Sequence, residues 1–306
     1  MRERYQLIQF FSIVFLELVF LPFLYFFEWF KNKISSNKPL NVKRIREGVI
    51  SEEIHINIHE WGGYSDVRKK RIKNTDEFTC GLKAQLERFK YGTENVQKKL
   101  YLTVSDIGLL KNRKQIENDV DVLESVSNYG MDFSGYAKFY EMIKDKPNAY
   151  VLLSNTSINA IQVNFLDDYR DYMEKNPDVG MMGISYCSKT MQTLLRNNFN
   201  PHLQSFFLLT TIDVLNQIVF ENNNKFPGKG IIYKRLLVKK GEIAMSKLTQ
   251  KLGYNLAVSL ENGSVFKFGK NNFFDNGFNR WELNYTDVRL SCKNPNAINI
   301  IKKNNV

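Results

Sequence analysis

Residues 128–136, Asn128-Tyr-Gly-Met-Asp-Phe-Ser-Gly-Tyr136, place an amide, two glycines and a carboxylate between an apolar strand pattern and a helical one. Asn128 and Asp132 can hydrogen-bond the ribose or base of a nucleotide, and Gly130 suits a tight turn. Asp132 is equally suited to cap the helix that follows. Downstream, Leu153-Ser-Asn-Thr-Ser157 offers Asn155 and Ser157 just beyond another apolar run. His59 and Glu60 close an alternating strand and lead into Trp61-Gly62-Gly63, a turn where Gly62 lets backbone approach a ligand. Glu242, after Gly241 at a predicted helix start, can serve as a general base or simply complement the helix dipole. His202 and Gln204 can face the same ligand, although His202 also reads as an ordinary strand-start histidine.

These residues need a scaffold that brings strand ends together. Alternating strand and helix patterns supply one: strands at Ile54–His59, Lys99–Val104, Val120–Ser125, Tyr150–Leu153, Val179–Ile184, Leu203–Leu209 and Asn255–Leu260, with helices at 75–91, 109–118, 135–144, 164–175, 188–196, 211–220 and 240–252. This order predicts an α/β fold with a mostly parallel sheet and helices on both faces. Ligands of such sheets bind beyond the carboxyl ends of the strands, where the candidate residues fall. The folded domain is expected over 51–260. Residues 31–50 read as a basic juxtamembrane linker, and 261–306 as a basic C-terminal extension without regular pattern.

The chain has 306 residues and a formal net charge of +11, with lysines and arginines spread along it. That balance suits a bilayer surface, a nucleic acid or a phosphorylated ligand. No nucleic-acid-binding motif occurs, so nucleic acid is not an expected partner. Cys80, Cys187 and Cys292 are far apart, which excludes a disulfide framework and a structural zinc site.

Residues 7–30 are almost continuously apolar, long enough as a helix to cross a hydrocarbon core of roughly 20 residues. A single membrane-anchoring helix over 1–30 is the expectation, with the following basic flank placing the domain in the cytoplasm. Gln9, Glu17 and Glu28 share one side of this helix, and Glu17 facing lipid would be costly. The helix therefore either lies in the interface or packs that stripe on protein.

Four blocks carry a resemblance to a known family. The loop at 128–136, the Leu153–Ser157 turn, His202-Leu-Gln-Ser-Phe-Phe207 and Gly241-Glu-Ile-Ala-Met-Ser-Lys-Leu-Thr-Gln-Lys-Leu-Gly-Tyr254 are similar to motifs of rhamnan-synthesis-F-like glycosyltransferases and occur in the same order. The resemblance implies a GT-A-like, Rossmann-like domain that transfers a sugar from a nucleotide-sugar donor to a lipid-linked or polymeric glycan in surface polysaccharide assembly. It also implies other polysaccharide-assembly proteins as partners. It assigns Glu242, His202 and Gln204 to the acceptor side, with Glu242 as the base. Donor contacts fall to His59, Glu60, Gly62, Asn128, Gly130, Asp132, Asn155 and Ser157. Many GT-A enzymes carry Asp-x-Asp, holding Mg²⁺ or Mn²⁺, where this chain has Asn155-Thr-Ser157. A divalent metal is thus implied by the fold type without the carboxylates that favour it, and a non-catalytic glycosyltransferase-like subunit is the alternative reading.

Overall fold

The computed structural model describes residues 2–34, 44–70, 77–90, 96–158, 166–184, 186–187, 202–259 and 265–269. In chain order the elements are α1 (Arg2–Ile34), β1 (Ile54–Glu60), β2 (Arg68–Lys70), β3 (Phe78–Cys80), α2 (Leu82–Lys90), β4 (Lys98–Val104), α3 (Arg113–Asp119), β5 (Val122–Ser125), α4 (Asp132–Ile143), β6 (Tyr150–Asn155), α5 (Leu166–Lys175) and β7 (Val179–Gly183). They continue with β8 (Tyr186–Cys187), β9 (His202–Leu203), β10 (Phe207–Thr211), α6 (Ile212–Glu221), α7 (Lys234–Leu237), a π-helical turn at Val238–Glu242, α8 (Ile243–Lys251), β11 (Asn255–Ser259) and β12 (Val265–Phe268).

Eight strands form one sheet in the order β12-β11-β7-β10-β6-β1-β4-β5. Its pairings β6–β1, β1–β4, β4–β5 and β11–β7 are parallel, as the alternating elements predict, while β10 runs antiparallel to both neighbours and β12 antiparallel to β11. β1 occupies the centre of the parallel half because its period-2 pattern serves two layers. Ile54, Ile56 and Ile58 enter one apolar core with Leu152 and Tyr169, and the alternate residues face the side covered by α4. On that side Tyr101, Val151, Leu153, Tyr136 and Phe139 form a second core.

Three elements differ from the sequence expectation. The helix expected at 75–91 begins only at Leu82, because Phe78–Cys80 pairs with Arg68–Lys70 as a two-stranded ribbon. The strand expected at Leu203–Leu209 is two strands: β9 pairs with β8, and β10 joins the main sheet. The helix expected from 240 starts at Lys234 and passes through the π-turn, so Glu242 lies inside a continuous helical run and not at a helix start. The expected helix at 188–196 lies outside the described residues, as does most of 261–306.

α1 forms over 33 residues, about 50 Å of helix. Among the described residues, however, no helix is long and apolar enough to cross a membrane. This corrects the expected spanning anchor, and it leaves the positive-flank argument for a cytoplasmic domain with no spanning helix to act on. The physical reason lies in the stripe Gln6, Phe10, Val14 and Glu17, spaced at three and four residues so that it faces one way. Phe10 and Val14 are buried against Leu236. Gln6 Oε1 accepts from the Ile232 and Tyr233 amides at 2.7 and 3.0 Å, satisfying donors at the entry to α7, and its Nε2 donates to the Gly230 carbonyl. Glu17 pairs with Lys239. Ahead of β1, buried Arg46 donates to the Val179 and Met173 carbonyls, tying the segment before Ser51 to the domain.

Candidate functional site

The carboxyl ends of β1 and β6, the start of α4, the β9–β10 connection and the π-turn enclose a cavity of about 670 Å³. Its size falls in the range of about 300–1,000 Å³ usual for small-molecule sites. Of the sequence candidates, Asn128, Asp132, Asn155 and Ser157 line it on one side. Gln204 and Glu242 line it on the other, with His59 in its floor. Glu60, Gly62, Gly130 and His202 are buried behind the wall.

Asp132 is the first residue of α4, and Met131, not Asp132, holds the N-cap position. The Asp132 side chain is therefore not spent on capping. Its Oδ2 accepts from Asn155 Nδ2 at 2.8 Å, joining the two predicted loops in one wall of the cavity. Asn155 Oδ1 in turn accepts from the Ser157 amide and fixes the turn.

Glu60 works as an organiser. Its Oε1 accepts from the Trp61 and Gly62 amides at 2.8 and 3.3 Å, and its Oε2 stands 3.7 Å from Arg68 Nη1. Gly62 has φ near +101°, and a Cβ there would lie 2.2 Å from the Asp106 carbonyl oxygen, so only glycine fits. Arg68 reaches the cavity from the β2–β3 ribbon, stacked with its guanidinium carbon 3.9 Å from the Tyr64 ring centroid. Its Nη2 donates to the Thr156 carbonyl and hydroxyl, while its buried Nη1 has no hydrogen-bond partner among the described residues.

Glu242 is held by three groups. The Ser205 amide and hydroxyl both donate to Oε2 at 2.9 Å, and His202 Nε2 lies 3.4 Å from Oε1. Burial pushes the Glu242 carboxyl up, but His202 and the two Ser205 bonds outweigh it, leaving the pKa below the usual value. An ionised carboxylate offers about four lone-pair sites, so this arrangement leaves capacity for a ligand hydroxyl. Ser205 is itself fixed, since its carbonyl accepts from the buried Tyr136 hydroxyl at 2.8 Å.

His59 is spent on the core. Thr103 Oγ1 donates to Asn57 Oδ1 and lies 3.1 Å from His59 Nδ1, while Ser105 Oγ lies 3.3 Å from His59 Nε2. The network assigns the proton to Nδ1, with Nε2 accepting from Ser105. Burial lowers the His59 pKa and keeps the ring neutral.

The turn at 155–157 does not fit a divalent cation. The Thr156 oxygens already receive Arg68, Asn155 Oδ1 receives the Ser157 amide, and no carboxylate belongs to the turn. Mg²⁺ and Mn²⁺ favour carboxylate and phosphate oxygens. A guanidinium supplies the positive charge at this place.

The sequence matches no family model and no curated protein. Among solved structures, it is similar to residues 1–349 of TarS from S. aureus, with a TM-score of 0.35 and 8% identity over 60% of this chain and 53% of that one. The chain thus spans about half the length of that structure. A likeness of this size carries no argument about activity, so the reading rests on the residues of the cavity.

Several cavity residues are absent from the sequence prediction. Arg68, Lys70 and Lys234 supply cationic groups, and Ser205 fixes Glu242. The signal for Arg68 was faint, one arginine in a basic run shortly after Trp61-Gly-Gly-Tyr64. Trp61 and Tyr64, packed edge to face at 4.9 Å, form an aromatic wall that is only partly covered.

Proposed function

We propose that the protein is a glycosyltransferase that moves a sugar from a nucleotide-sugar donor to a glycan or lipid-linked acceptor in surface polysaccharide biosynthesis. The observation that carries this reading is the charge layout of one cavity. Arg68, Lys70 and Lys234 face the space shared with two carboxylates, Asp132 and Glu242. Cations suit a diphosphate leaving group, whose charge grows as the glycosidic bond breaks. Carboxylates suit sugar hydroxyls.

In this reading Trp61 and Tyr64 give the base or a sugar ring an aromatic surface. Arg68, aimed by its ion pair with Glu60 and its stacking on Tyr64, brings its guanidinium charge to the diphosphate in place of a metal. Asp132, oriented by Asn155, accepts a donor hydroxyl. Glu242 accepts the proton of the attacking acceptor hydroxyl. Its depressed pKa makes it a weak base, so its effect comes from position and from being ionised throughout the neutral range.

The test is a panel of nucleotide sugars measured by calorimetry and by release of nucleoside diphosphate, with candidate glycan acceptors. Binding with turnover supports the proposal. Binding without turnover favours the non-catalytic subunit, and absence of nucleotide binding overturns the donor site.

A further inference from the structure

A second cavity, of about 530 Å³, lies across the π-turn from the first. Val238 and Glu242 of that turn face the first cavity, and Lys239 and Lys240 face the second. Lys225, Lys229 and Lys247 complete its basic lining, so five ammonium groups stand against the one lining carboxylate, Glu17 of α1. Glu17 is engaged with Lys239. Like charges crowded around a concavity raise the local potential and call for an anion.

α1 borders this cavity and carries a second unsatisfied feature. Its stripe from Gln6 to Glu17 is docked on the domain, but Phe11, Phe15, Val19, Phe23 and Phe26 are exposed, each by more than two-fifths of its surface. At 3.6 residues per turn these side chains occupy the side opposite the docked stripe. Leu18 and Phe20, one and three residues beyond Glu17, are also exposed. An apolar patch of this length is not left in water without a role. A cationic concavity beside an apolar helix face matches the two chemistries of an anionic bilayer surface, phosphate above and acyl chain below.

We infer that the domain is seated on an anionic lipid bilayer by α1 lying flat in the interface, with the five-lysine cavity taking a lipid phosphate headgroup. The occupant is the lipid surface, and the site is distinct from the proposed donor cavity and independent of its chemistry. Seated in this way, the helix needs no spanning length, and its one carboxylate at the cavity, Glu17, stays paired with Lys239.

The experiment is co-sedimentation of the full chain with vesicles of phosphatidylcholine alone and of phosphatidylcholine with about a third phosphatidylglycerol. Two variants accompany it, Lys240→Ala/Lys247→Ala and Phe15→Ser/Val19→Ser, each checked for an unchanged unfolding midpoint. Strong binding to the anionic vesicles is expected. The lysine pair should weaken it by roughly 25-fold, about five-fold per lysine. The apolar-face variant, Phe15→Ser/Val19→Ser, should weaken it on both vesicle types. Equal binding to neutral vesicles, or an unaltered lysine variant, overturns the headgroup site. Calorimetric binding of inorganic phosphate that leaves vesicle binding no weaker than in chloride at equal ionic strength assigns the cavity to free phosphate and overturns the lipid source. A dimer in light scattering that Phe15→Ser/Val19→Ser abolishes, with no vesicle binding, assigns the helix face to a second copy and overturns the inference.

Discussion

Arg68 Nη2 donates to both oxygens of Thr156, the hydroxyl at 3.0 Å and the carbonyl at 3.3 Å. A guanidinium thereby engages the turn at 155–157, which has no carboxylate of its own. Glu60 behind it and Tyr64 beneath it fix its direction. Arg68→Ala is expected to weaken nucleoside diphosphate binding by about 10- to 100-fold, the range for a charge-assisted hydrogen bond. Calorimetric titration of the diphosphate measures this directly. An Arg68→Lys variant should recover only part of the loss, because an ammonium cannot reproduce the planar fork. Affinity unchanged in Arg68→Ala would remove Arg68 from the donor site.

The same relationship makes a prediction about metal. With the turn oxygens engaged, diphosphate affinity should change by less than about two-fold between EDTA and added Mn²⁺, well under the tenfold that corresponds to 1.4 kcal/mol. A metal-dependent gain of an order of magnitude would show that carboxylates outside this turn bind the cation.

Glu242 gives a pH prediction with a definite sign. Its folded pKa is depressed, so the carboxylate stays ionised at and above the ordinary carboxylate range and protonates only below it. The stability it contributes is accordingly present above its unfolded pKa and lost as pH falls through the folded one. If Glu242 is the base, the turnover profile should show no acid limb between pH 8 and 5 from this group. Glu242→Gln should lower kcat by about 10²- to 10⁴-fold, the usual worth of general-base catalysis, with donor affinity retained. Full turnover in Glu242→Gln would transfer the base role elsewhere, with Asp132 the nearest alternative carboxylate in the cavity.

Much of the parallel half of the fold was legible because its signals are local. Ile54–His59 alternates at period two, and the 128–136 loop announces a turn followed by a helix. The four family-like blocks also fell on one cavity: the two loops meet through Asp132 and Asn155, and Glu242 meets the His202–Ser205 segment. What the sequence hid depends on distant partners. β10 reads like any buried strand, and nothing in Phe207–Thr211 states that it runs antiparallel to β6. Arg68 reads as a solvated charge in a basic run until Glu60, Tyr64 and Thr156 surround it. The apolar length of α1 resembles a span, and its docking became visible only when Gln6 and Glu17 found partners at Tyr233 and Lys239.

His55 and His59 should make stability depend on pH around 6. Burial lowers the pKa of both below the ordinary value of 6.5. The unfolded chain therefore binds more protons than the folded one below that pH, and stability rises with pH. The contribution is complete above 6.5 and is lost as pH falls toward the folded values. Urea midpoints from pH 8 to 5 should decline on the acid side, and His59→Asn should flatten that decline while lowering stability at pH 8. An unchanged slope in His59→Asn would mean that His59 is not the group responsible.

Gly135 sets how closely α4 can approach the sheet. A Cβ at this position would lie 2.2 Å from His59 Nδ1 and 2.4 Å from Thr103 Oγ1, both buried and committed to one hydrogen-bond network. Neither side chain can withdraw without breaking its bonds to Asn57 or Ser105. Gly135→Ala must then push α4 outward or disrupt the network, at a cost of about 1–3 kcal/mol as for other overpacked cores. Because α4 begins with Asp132, outward movement also shifts that carboxylate away from Asn155. The variant should lower both the unfolding midpoint and nucleotide affinity. Gly48→Ala, where an added Cβ meets nothing within 4 Å, should change neither beyond about 0.5 kcal/mol. A Gly135→Ala protein as stable as wild type would mean that α4 does not rest on His59.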